Sequence, residues 1–399
     1  MSDLLSIGRG GVQVYQRALS TTSNNIANLA TEGYSRQETT IVDNVPRQDG
    51  RHFLGTGSIV DGIGRNFDAF IEQSLRSSIS DLETQTPLID YADRVVDILG
   101  SQRTGLTGAL DSFFTAARAV SSDAASPELR ASFLSEADGL AQRLRTLGAQ
   151  LDVLNTETSE SLQTQLDKVN TLSNQIATVN AELNRRGLLS RQAPRLLDQR
   201  DSLLRELASL VKIRIVESSS GSVDVSIGTT NNRGKLVEGK VARKIDAEID
   251  PQTLNVKLVL DKLDKYEVVS GVSGGSVGGV LAFRDQILDP SIRELDFLAQ
   301  TVATQFNGVH RLGMDATGKL GEDLFTIDPV FTLRAGASSA DLGIRWDVFN
   351  PAETQFHSLR LEFDPDTVQW VATDLENGTS VRGTNDLKIN GMQIRIEGR

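Results

Sequence analysis

Small and apolar residues recur at alternating three- and four-residue steps through the first 22 positions of the chain. The positions are Leu4, Gly8, Gly11, Tyr15, Ala18 and Thr22. This spacing predicts a helix with a seam that packs against other helices. The glycines weaken helix propensity but let two backbones approach closely. Asparagines over residues 24–28 are expected to end the helix by bonding nearby backbone groups, and Gly33 allows a turn.

The helical period returns after an extended, glycine-punctuated stretch over residues 39–70. That stretch contains two short β-like runs, at residues 41–42 and 59–60. One predicted helical face then carries Phe67, Phe70, Ile71, Leu75, Ile79 and Leu82. Pro87 is expected to interrupt this helix. Two further helical runs are predicted, over residues 88–99 and 106–117.

Long leucine seams dominate the middle of the chain. Ser126 is predicted to cap a helix that has Pro127 at its first position. Three-four spacing of leucines then continues to Leu183, which argues for a long, coiled-coil-like helix. Gly187 is expected to end it, and Pro194 to start a second helix that reaches residue 210.

Alternating patterns replace the helical period after residue 210. Strand-like runs at residues 211–216, 223–227 and 255–260 indicate an inserted β subdomain. A Gly/Ser-rich return over residues 271–279 leads to a helix over residues 280–312. Short strands then follow, at residues 331–333, 359–363 and 368–371, with a hairpin turn at Asn390-Gly391.

These patterns predict a multidomain α+β fold. It is an elongated helical bundle with long coiled-coil-like helices, an inserted β subdomain and an outer β domain. The predicted divisions are 1–66 (amino-terminal core helix and extended linker), 67–210 (helical domain), 211–270 (inserted β subdomain), 271–325 (returning helical segment) and 326–399 (outer β domain, expected to be incomplete).

Composition narrows the classes of partner. The 399 residues carry a net charge of −12, which argues against nucleic acid or an anionic membrane surface. No apolar run approaches the roughly 18 residues of a membrane span. Asp3 stands where a signal peptide would be basic. The sequence therefore indicates a cytoplasmic protein, or one exported without a cleaved signal.

Candidate chemistry is sparse. The absence of cysteine removes disulfides, thiolate metal sites and cysteine nucleophiles. The glycines of residues 271–279 match no phosphate-loop spacing. Asp198 and Asp201 lie three residues apart on an amphipathic helix, where carboxylates are usually solvated or ion-paired. The three histidines, His52, His310 and His357, have no ligand-spaced partner. We therefore expect no catalysis, no metal and no cofactor.

Four stretches resemble one protein family. The sequence over residues 24–37, Asn-Asn-Ile-Ala-Asn followed by Thr-Glu-Gly-Tyr-Ser-Arg-Gln, resembles the amino-terminal signature of the axial proteins of the bacterial flagellum: the rod, hook and hook–filament junction subunits. Its Gly-Tyr-Ser-Arg-Gln ending is similar to that of the junction subunits. Residues 62–68, 196–201 and 278–290 resemble further junction-subunit segments in the same order.

The resemblance implies a structural protein that is exported through the flagellar type III apparatus and resides outside the cell. It implies four partners: copies of the chain in a ring, the hook protein, the second hook–filament junction protein and an export chaperone. It also implies that the first helix pairs with a carboxy-terminal helix. Because this chain stops in β-like sequence at residues 396–399, a shortened chain without the chaperone site is expected.

The assembly interface is predicted at the amino terminus, in residues Leu4, Leu5, Ile7, Val12, Tyr15, Leu19, Asn24, Asn25, Ile26, Ala27, Asn28, Leu29, Gly33 and Tyr34. Three alternatives remain open at this stage. A hook or distal rod subunit should lack the long helices of residues 128–210. A secreted coiled-coil adhesin or effector would need no axial signature. A fused peptidoglycan hydrolase would need a paired acid in a cleft.

Overall fold

The computed structural model describes residues 2–49, 51–100, 105–186, 192–228, 234–249, 256–260, 267–269, 272–315, 317–327, 343–348, 357 and 359–397. The chain divides into two compact units. Unit 1 comprises Met1–Asp90, Thr158–Glu248 and Val256–Phe283. Unit 2 comprises Tyr91–Glu157, Ile249–Asn255 and Arg284–Arg399. None of the described helices is both long and apolar enough to cross a membrane.

Unit 1 begins with a helix that packs on a β-hairpin. Helix α1 (Ser2–Ala27) is followed by β1 (Gln37–Asp43), which pairs antiparallel with β4 (Ser58–Arg65). The predicted β-like runs at residues 41–42 and 59–60 lie in this pair, which confirms them. A smaller hairpin, β2 (Arg47–Asp49) and β3 (His52–Leu54), lies between these two strands in the sequence.

The residues predicted as the seam of α1 are partly covered by the chain itself. Gly11 and Ala18 are half-buried, whereas Gly8, Tyr15 and Thr22 are exposed, and the side chain of Leu4 lies outside the described residues. In the described chain the buried face of α1 packs on β1 and β4, not on helices. The small residues of α1 permit close approach of another segment, and in the structure that segment is the β1–β4 hairpin.

Helix α2 (Ala69–Leu99) runs through Pro87, so the predicted interruption is wrong. Gly279 lies against this point, since a Cβ added there would be 2.3 Å from the Thr84 carbonyl oxygen and 2.7 Å from the Pro87 ring. The segment around Gly279 therefore packs closely on α2 at the proline. The predicted apolar face is also largely wrong, because it points outward: the exposed members are Phe70, Ile71, Leu75 and Leu82.

Helix α3 (Leu106–Ser122) and the first half of α4 (Pro127–Arg186) form an aromatic core in unit 2 with α7 (Asp289–Leu312). Phe113 is fully buried, and its ring centroid lies 4.6 Å from that of Phe306. Ser126 caps α4 as predicted, because its Oγ accepts a hydrogen bond from the Leu129 N–H at 3.3 Å.

The predicted long leucine seam is confirmed. Along α4 it buries Leu140, Leu147, Leu151, Leu154, Leu162, Leu166, Leu172 and Leu183. Helix α5 (Pro194–Leu210) begins at the predicted proline, with Ala193 as its N-cap. The expected end at Gly187 lies outside the described residues.

The inserted β region of unit 1 contains two small sheets. One has the order β5-β6-β7-β8, from Ile213–Glu217, Val223–Ile227, Lys235–Glu238 and Val241–Ala242. The other has the order β11-β10-β9, from Glu267–Val269, Val256–Leu260 and Ile245–Ile249. Asn180 on α4 holds the first sheet: its amide donates to the carbonyl oxygens of Val223 and Gly239, both at 2.7 Å, and accepts from the Val223 N–H at 2.9 Å.

The return from the β region is helical earlier than predicted. Helix α6 (Gly275–Phe283) already contains Gly275, Gly278 and Gly279, which were expected to lie in a loop. A Cβ at Gly275 would lie 2.3 Å from the Leu210 carbonyl carbon, so these glycines serve close packing. A π-helical segment, Arg284–Leu288, then precedes α7.

The carboxy-terminal part of unit 2 is β structure. Its strands are β12 (Gly343–Val348), β13 (Leu359–Asp364), β14 (Gln369–Asp374), β15 (Ser380–Gly383), β16 (Asp386–Ile389) and β17 (Met392–Glu397). They form the sheets β12-β17-β16 and β13-β14-β15. The predicted hairpin at Asn390-Gly391 is confirmed by the β16–β17 pairing. The predicted strand at residues 331–333 lies outside the described residues.

Candidate assembly interface

One face of α1 is covered by the chain itself. Val14 is 4% exposed and Thr21 is buried, and this helix packs on the β1–β4 hairpin. The Thr39 hydroxyl of β1 donates to the Thr21 hydroxyl at 2.9 Å. Gly57, with a φ of +93°, lets the chain pass close to α1, because a Cβ there would lie 3.4 Å from the Ile7 side chain. This face therefore fixes α1 to its own unit.

The opposite face of α1 is an apolar stripe that the described chain leaves uncovered. Leu5, Val12, Leu19 and Ile26 follow one another at seven-residue steps, and Leu19 and Ile26 are 67% and 71% exposed. Tyr15 and Leu29 extend the same stripe and are exposed too. We name these six residues the α1 seam. Seven-residue spacing is the pattern of a helix that supercoils with another helix.

The asparagines of the predicted interface act inside the chain. The Asn25 amide donates to the Gln37 carbonyl oxygen at 2.9 Å and accepts from the Gln37 N–H at 2.9 Å. The Tyr34 hydroxyl donates to the Asn25 Oδ1 at 2.7 Å, and the Asn24 amide donates to the Tyr34 oxygen at 3.2 Å. The Asn28 amide donates to the Asn24 carbonyl oxygen at 2.9 Å. These side chains tie the end of α1 to β1.

Two other family-like stretches meet in a buried ion cluster. The Arg65 guanidinium at the end of β4 donates to Asp198 at 2.9 Å and to Asp201 at 2.7 Å, both on α5. Asp201 is 2% exposed. The backbone N–H of Ser35 also donates to Asp198, at 3.3 Å. The stretches over residues 24–37, 62–68 and 196–201 therefore converge at one place in unit 1.

The cluster continues through Arg200. Its guanidinium pairs with Asp201 at 2.7 Å and with Glu217 on β5, and it donates to the Gly221 carbonyl oxygen. Burial lowers the pKa of Arg200, but the charges of Asp201 and Glu217 outweigh it and raise that pKa overall. The pair Asp198 and Asp201 is thus neutralised by two arginines, which explains its place in the interior.

Gly33 allows the turn before β1 to approach α5. Its φ is +77°, and a Cβ there would lie 3.8 Å from the Ser202 side chain. On the same helix, Arg205 pairs with Glu72 of α2 at 2.6 Å. The hydrogen bond to Glu72 raises the pKa of Arg205. The turn and the hairpin are held in position by α5 and its charges.

Among the described residues, the structure brings together no catalytic pair that the sequence singled out. Asp198 and Asp201 bind arginines, and His52 and His310 lie on separate segments. His357 contacts Asp374 at 2.7 Å. Within the described ranges no group of three or more histidines, cysteines or acids is placed to hold a metal ion. The spacing of residues within α5 could not predict the ion pairs with Arg65, because Asp198 and Asp201 lie 133 and 136 positions after Arg65 in the sequence.

Comparisons with known proteins identify relatives of this chain. Residues 5–34 match the family model of the flagella basal body rod protein, and residues 92–325 match that of the flagellar hook-associated protein FlgK helical domain. The chain is 29% identical to flagellar hook-associated protein 1 of Salmonella typhimurium, over 99% of this chain and 73% of that protein. For the Escherichia coli protein of the same name the identity is 28%, over 100% of this chain and 74% of that protein.

A solved structure is similar in fold. The flagellar hook junction protein FlgK from Burkholderia pseudomallei matches with a TM-score of 0.66 and 23% identity, over 82% of this chain and 60% of that chain. The exposed helical seam, the long helices and the rod-type amino terminus define an axial structural protein of the bacterial flagellum. The helical-domain match covers more than half of the 399 residues, and the chain belongs to the flagellar hook-associated protein FlgK family, whose place is the hook–filament junction.

Proposed function

We propose that the chain joins hook to filament by burying its α1 seam among neighbouring flagellar subunits, and that it performs no catalysis. The observation that carries the proposal is the heptad repeat of exposed Leu5, Val12, Leu19 and Ile26. Large exposed apolar patches on soluble proteins mark interaction sites. The seven-residue spacing of the α1 seam is the spacing of two helices packed together. The opposite face of α1 is already covered by the β1–β4 hairpin.

Charge supports close packing of copies at this end. Residues 1–66 contain six basic and six acidic residues, so the whole net charge of −12 lies in residues 67–399. Strong like charge would oppose a ring of copies around a shared core. A neutral amino-terminal segment removes that repulsion, while the acidic remainder favours solubility of the free subunit.

The proposal extends to the predicted partners and place. We infer that the seam meets other copies of the chain in a ring, the hook protein and the second junction protein, outside the cell after export without a cleaved signal. We retain an export chaperone as a proposed partner. We also retain the five-part division of the chain, 1–66, 67–210, 211–270, 271–325 and 326–399, as a proposal.

The roles of the predicted interface residues divide in two under this proposal. Leu5, Ile7, Val12, Tyr15, Leu19, Ile26 and Leu29 are exposed and would make contact between subunits. Asn24, Asn25, Asn28, Gly33 and Tyr34 would act by fixing the end of α1 in the orientation that presents those residues. Leu4 and Ala27 are proposed as further contact residues from the sequence.

Substitution of the seam tests the proposal. Ile26→Asp places a charge in the stripe, and we expect filament attachment in a deletion strain to fall by about tenfold or more, because a charge buried between subunits is costly. Gln13→Asp is the matched control, because it adds the same charge to an exposed, polar position of the same helix. Circular dichroism checks that both variants stay folded. Normal attachment of filaments with folded Ile26→Asp would overturn the proposal.

A further inference from the structure

Unit 1 carries a second exposed apolar patch at the β2–β3 hairpin. Val45, Phe53 and Leu54 are all exposed, Phe53 at 70%. Phe53 and Leu54 stand on opposite faces of β3, because neighbouring residues of a strand alternate. We name these three residues the hairpin tip. The sequence around it, residues 44–57, contains Arg47, Arg51 and one acid, so the tip is apolar and basic.

Helix α2 carries a complementary patch. Leu75, Leu82 and Ile89 lie at seven-residue steps, with Ile71 one turn before them, and Leu82 is 66% exposed. We name these four residues the α2 stripe. The exposed charged residues of α2 beside the stripe in unit 1 are acidic: Asp81, which pairs with Lys212 at 3.3 Å, and Asp90. Residues 69–90 hold four acids and one base.

We propose that the hairpin tip of one copy docks on the α2 stripe of a second copy of this chain. The inference rests on the proposed self-assembly and names a further contact within it. Charge favours this pairing, because Arg51 beside the tip can meet Asp90 beside the α2 stripe, whereas two α2 stripes would bring like charges together. Docking of the tip on α1 is disfavoured, because the only charged residues between Asp3 and Glu32 are Arg9 and Arg17. Aromatic side chains are the usual anchors of such contacts, which assigns that role to Phe53.

The pairing also has the right symmetry for an axial protein. Tip and α2 stripe are different surfaces, so each copy offers one of each and the contact is heterologous. Heterologous contacts generate rings or helical arrays, whereas a self-complementary contact would stop at a dimer. A contact of this kind continues from copy to copy, which a ring at the junction requires.

The native chain has no cysteine, so site-directed cross-linking reads the contact directly. The cysteines are placed beside the two patches, so that Phe53 and Leu82 stay intact: a size-tagged His52→Cys protein is mixed with untagged Gln85→Cys protein and treated with a short bismaleimide, both positions being exposed and polar. We expect a mixed tagged–untagged product in about tenfold excess over the control mixture, in which Leu134→Cys replaces Gln85→Cys, because docking raises the local concentration of the second thiol. Leu134 is exposed on α4, in unit 2. Equal coupling in both mixtures overturns the proposal.

Charge reversal gives a second readout. Arg51→Glu in the tagged protein and Asp90→Arg in the untagged one should each lower coupling severalfold, and the two together should restore it. Coupling that neither reversal changes overturns the proposal. Ile26→Asp separates this inference from the proposed function. If that variant blocks filament attachment while His52→Cys and Gln85→Cys fail to couple, tip docking is wrong and the α1 seam stands. If coupling occurs and the variant still attaches filaments, the seam is wrong and tip docking stands.

Discussion

Replacing Arg65 by methionine should loosen the amino-terminal hairpin more than a change to an exposed charge would. Arg65 and Asp201 are both nearly excluded from water, and their atoms are 2.7 Å apart. Removing one partner of a buried pair typically costs about 3–5 kcal/mol, because the other charge stays in the interior. Asp201 keeps Arg200, which places the expected cost of Arg65→Met near the lower end, at about 3 kcal/mol.

The matched control is the exposed pair of Arg94 and Glu157, whose side chains are about half exposed although their atoms are 2.5 Å apart. Such pairs contribute below about 1 kcal/mol, so Arg94→Met should cost little. Hydrogen exchange is the suitable assay, because it reports opening of one segment in a chain with two units. A tenfold change corresponds to about 1.4 kcal/mol, so amides of residues 58–65 should exchange on the order of 100-fold faster in Arg65→Met. An acceleration no larger in Arg65→Met than in Arg94→Met would refute the reasoning.

Two further changes test packing and acid sensitivity. Gly279→Ala should destabilise unit 1 by about 1–3 kcal/mol in urea titrations, because its Cβ would lie 2.3 Å from the Thr84 carbonyl oxygen. Gly139→Ala has open space around its Cβ and should instead stabilise its helix by about 0.5–1 kcal/mol in the same assay. Burial raises the pKa of Asp374, but hydrogen bonds to it prevail and lower that pKa from 3.8 to about 2. Stability from this fully buried carboxylate is therefore present above about pH 4 and is lost as the pH falls towards 2, by about 2 kcal/mol. Tryptophan fluorescence should show this loss, and Asp374→Asn should remove the contribution of this carboxylate to the acid transition. An unchanged acid transition in that variant would contradict the reasoning.

Periodicity predicted the elements whose local pattern and tertiary packing agree. The leucines of α4 recur at its core positions, so its length and its buried face follow from the sequence. The Asn390-Gly391 turn and the Pro127 helix start depend on local backbone chemistry, and the sequence contains that chemistry in full. Predictions of this kind needed no knowledge of distant residues.

The errors fall where a distant segment decides the outcome. Pro87 lies inside α2, and Gly279, far along the chain, packs closely against the helix at this point. The glycines of α6 resemble a loop in sequence, but they are helical, and Leu210 leaves no room for a Cβ at Gly275. On α1 and α2 the sequence predicted which positions are apolar. It did not predict which side of each helix the rest of the chain covers. Apolar spacing shows which side of a helix avoids water, but it does not show whether the core or a partner covers that side.

The division between interior and surface in unit 1 favours assembly on energetic grounds. Its interior holds an ion cluster in which Asp201 is 2% exposed, while Leu19 and Ile26 on α1 are 67% and 71% exposed. Buried ion pairs fix geometry but add little stability compared with apolar packing of the same volume. Apolar side chains left on the surface contribute only when something covers them, at about 25 cal/mol per Å². Although the core of unit 1 buries leucines of α4 and α5, the apolar side chains that α1 keeps on the surface leave part of its hydrophobic free energy unrealised. That free energy becomes available when subunits meet, so the assembled junction should be more stable than the subunit alone.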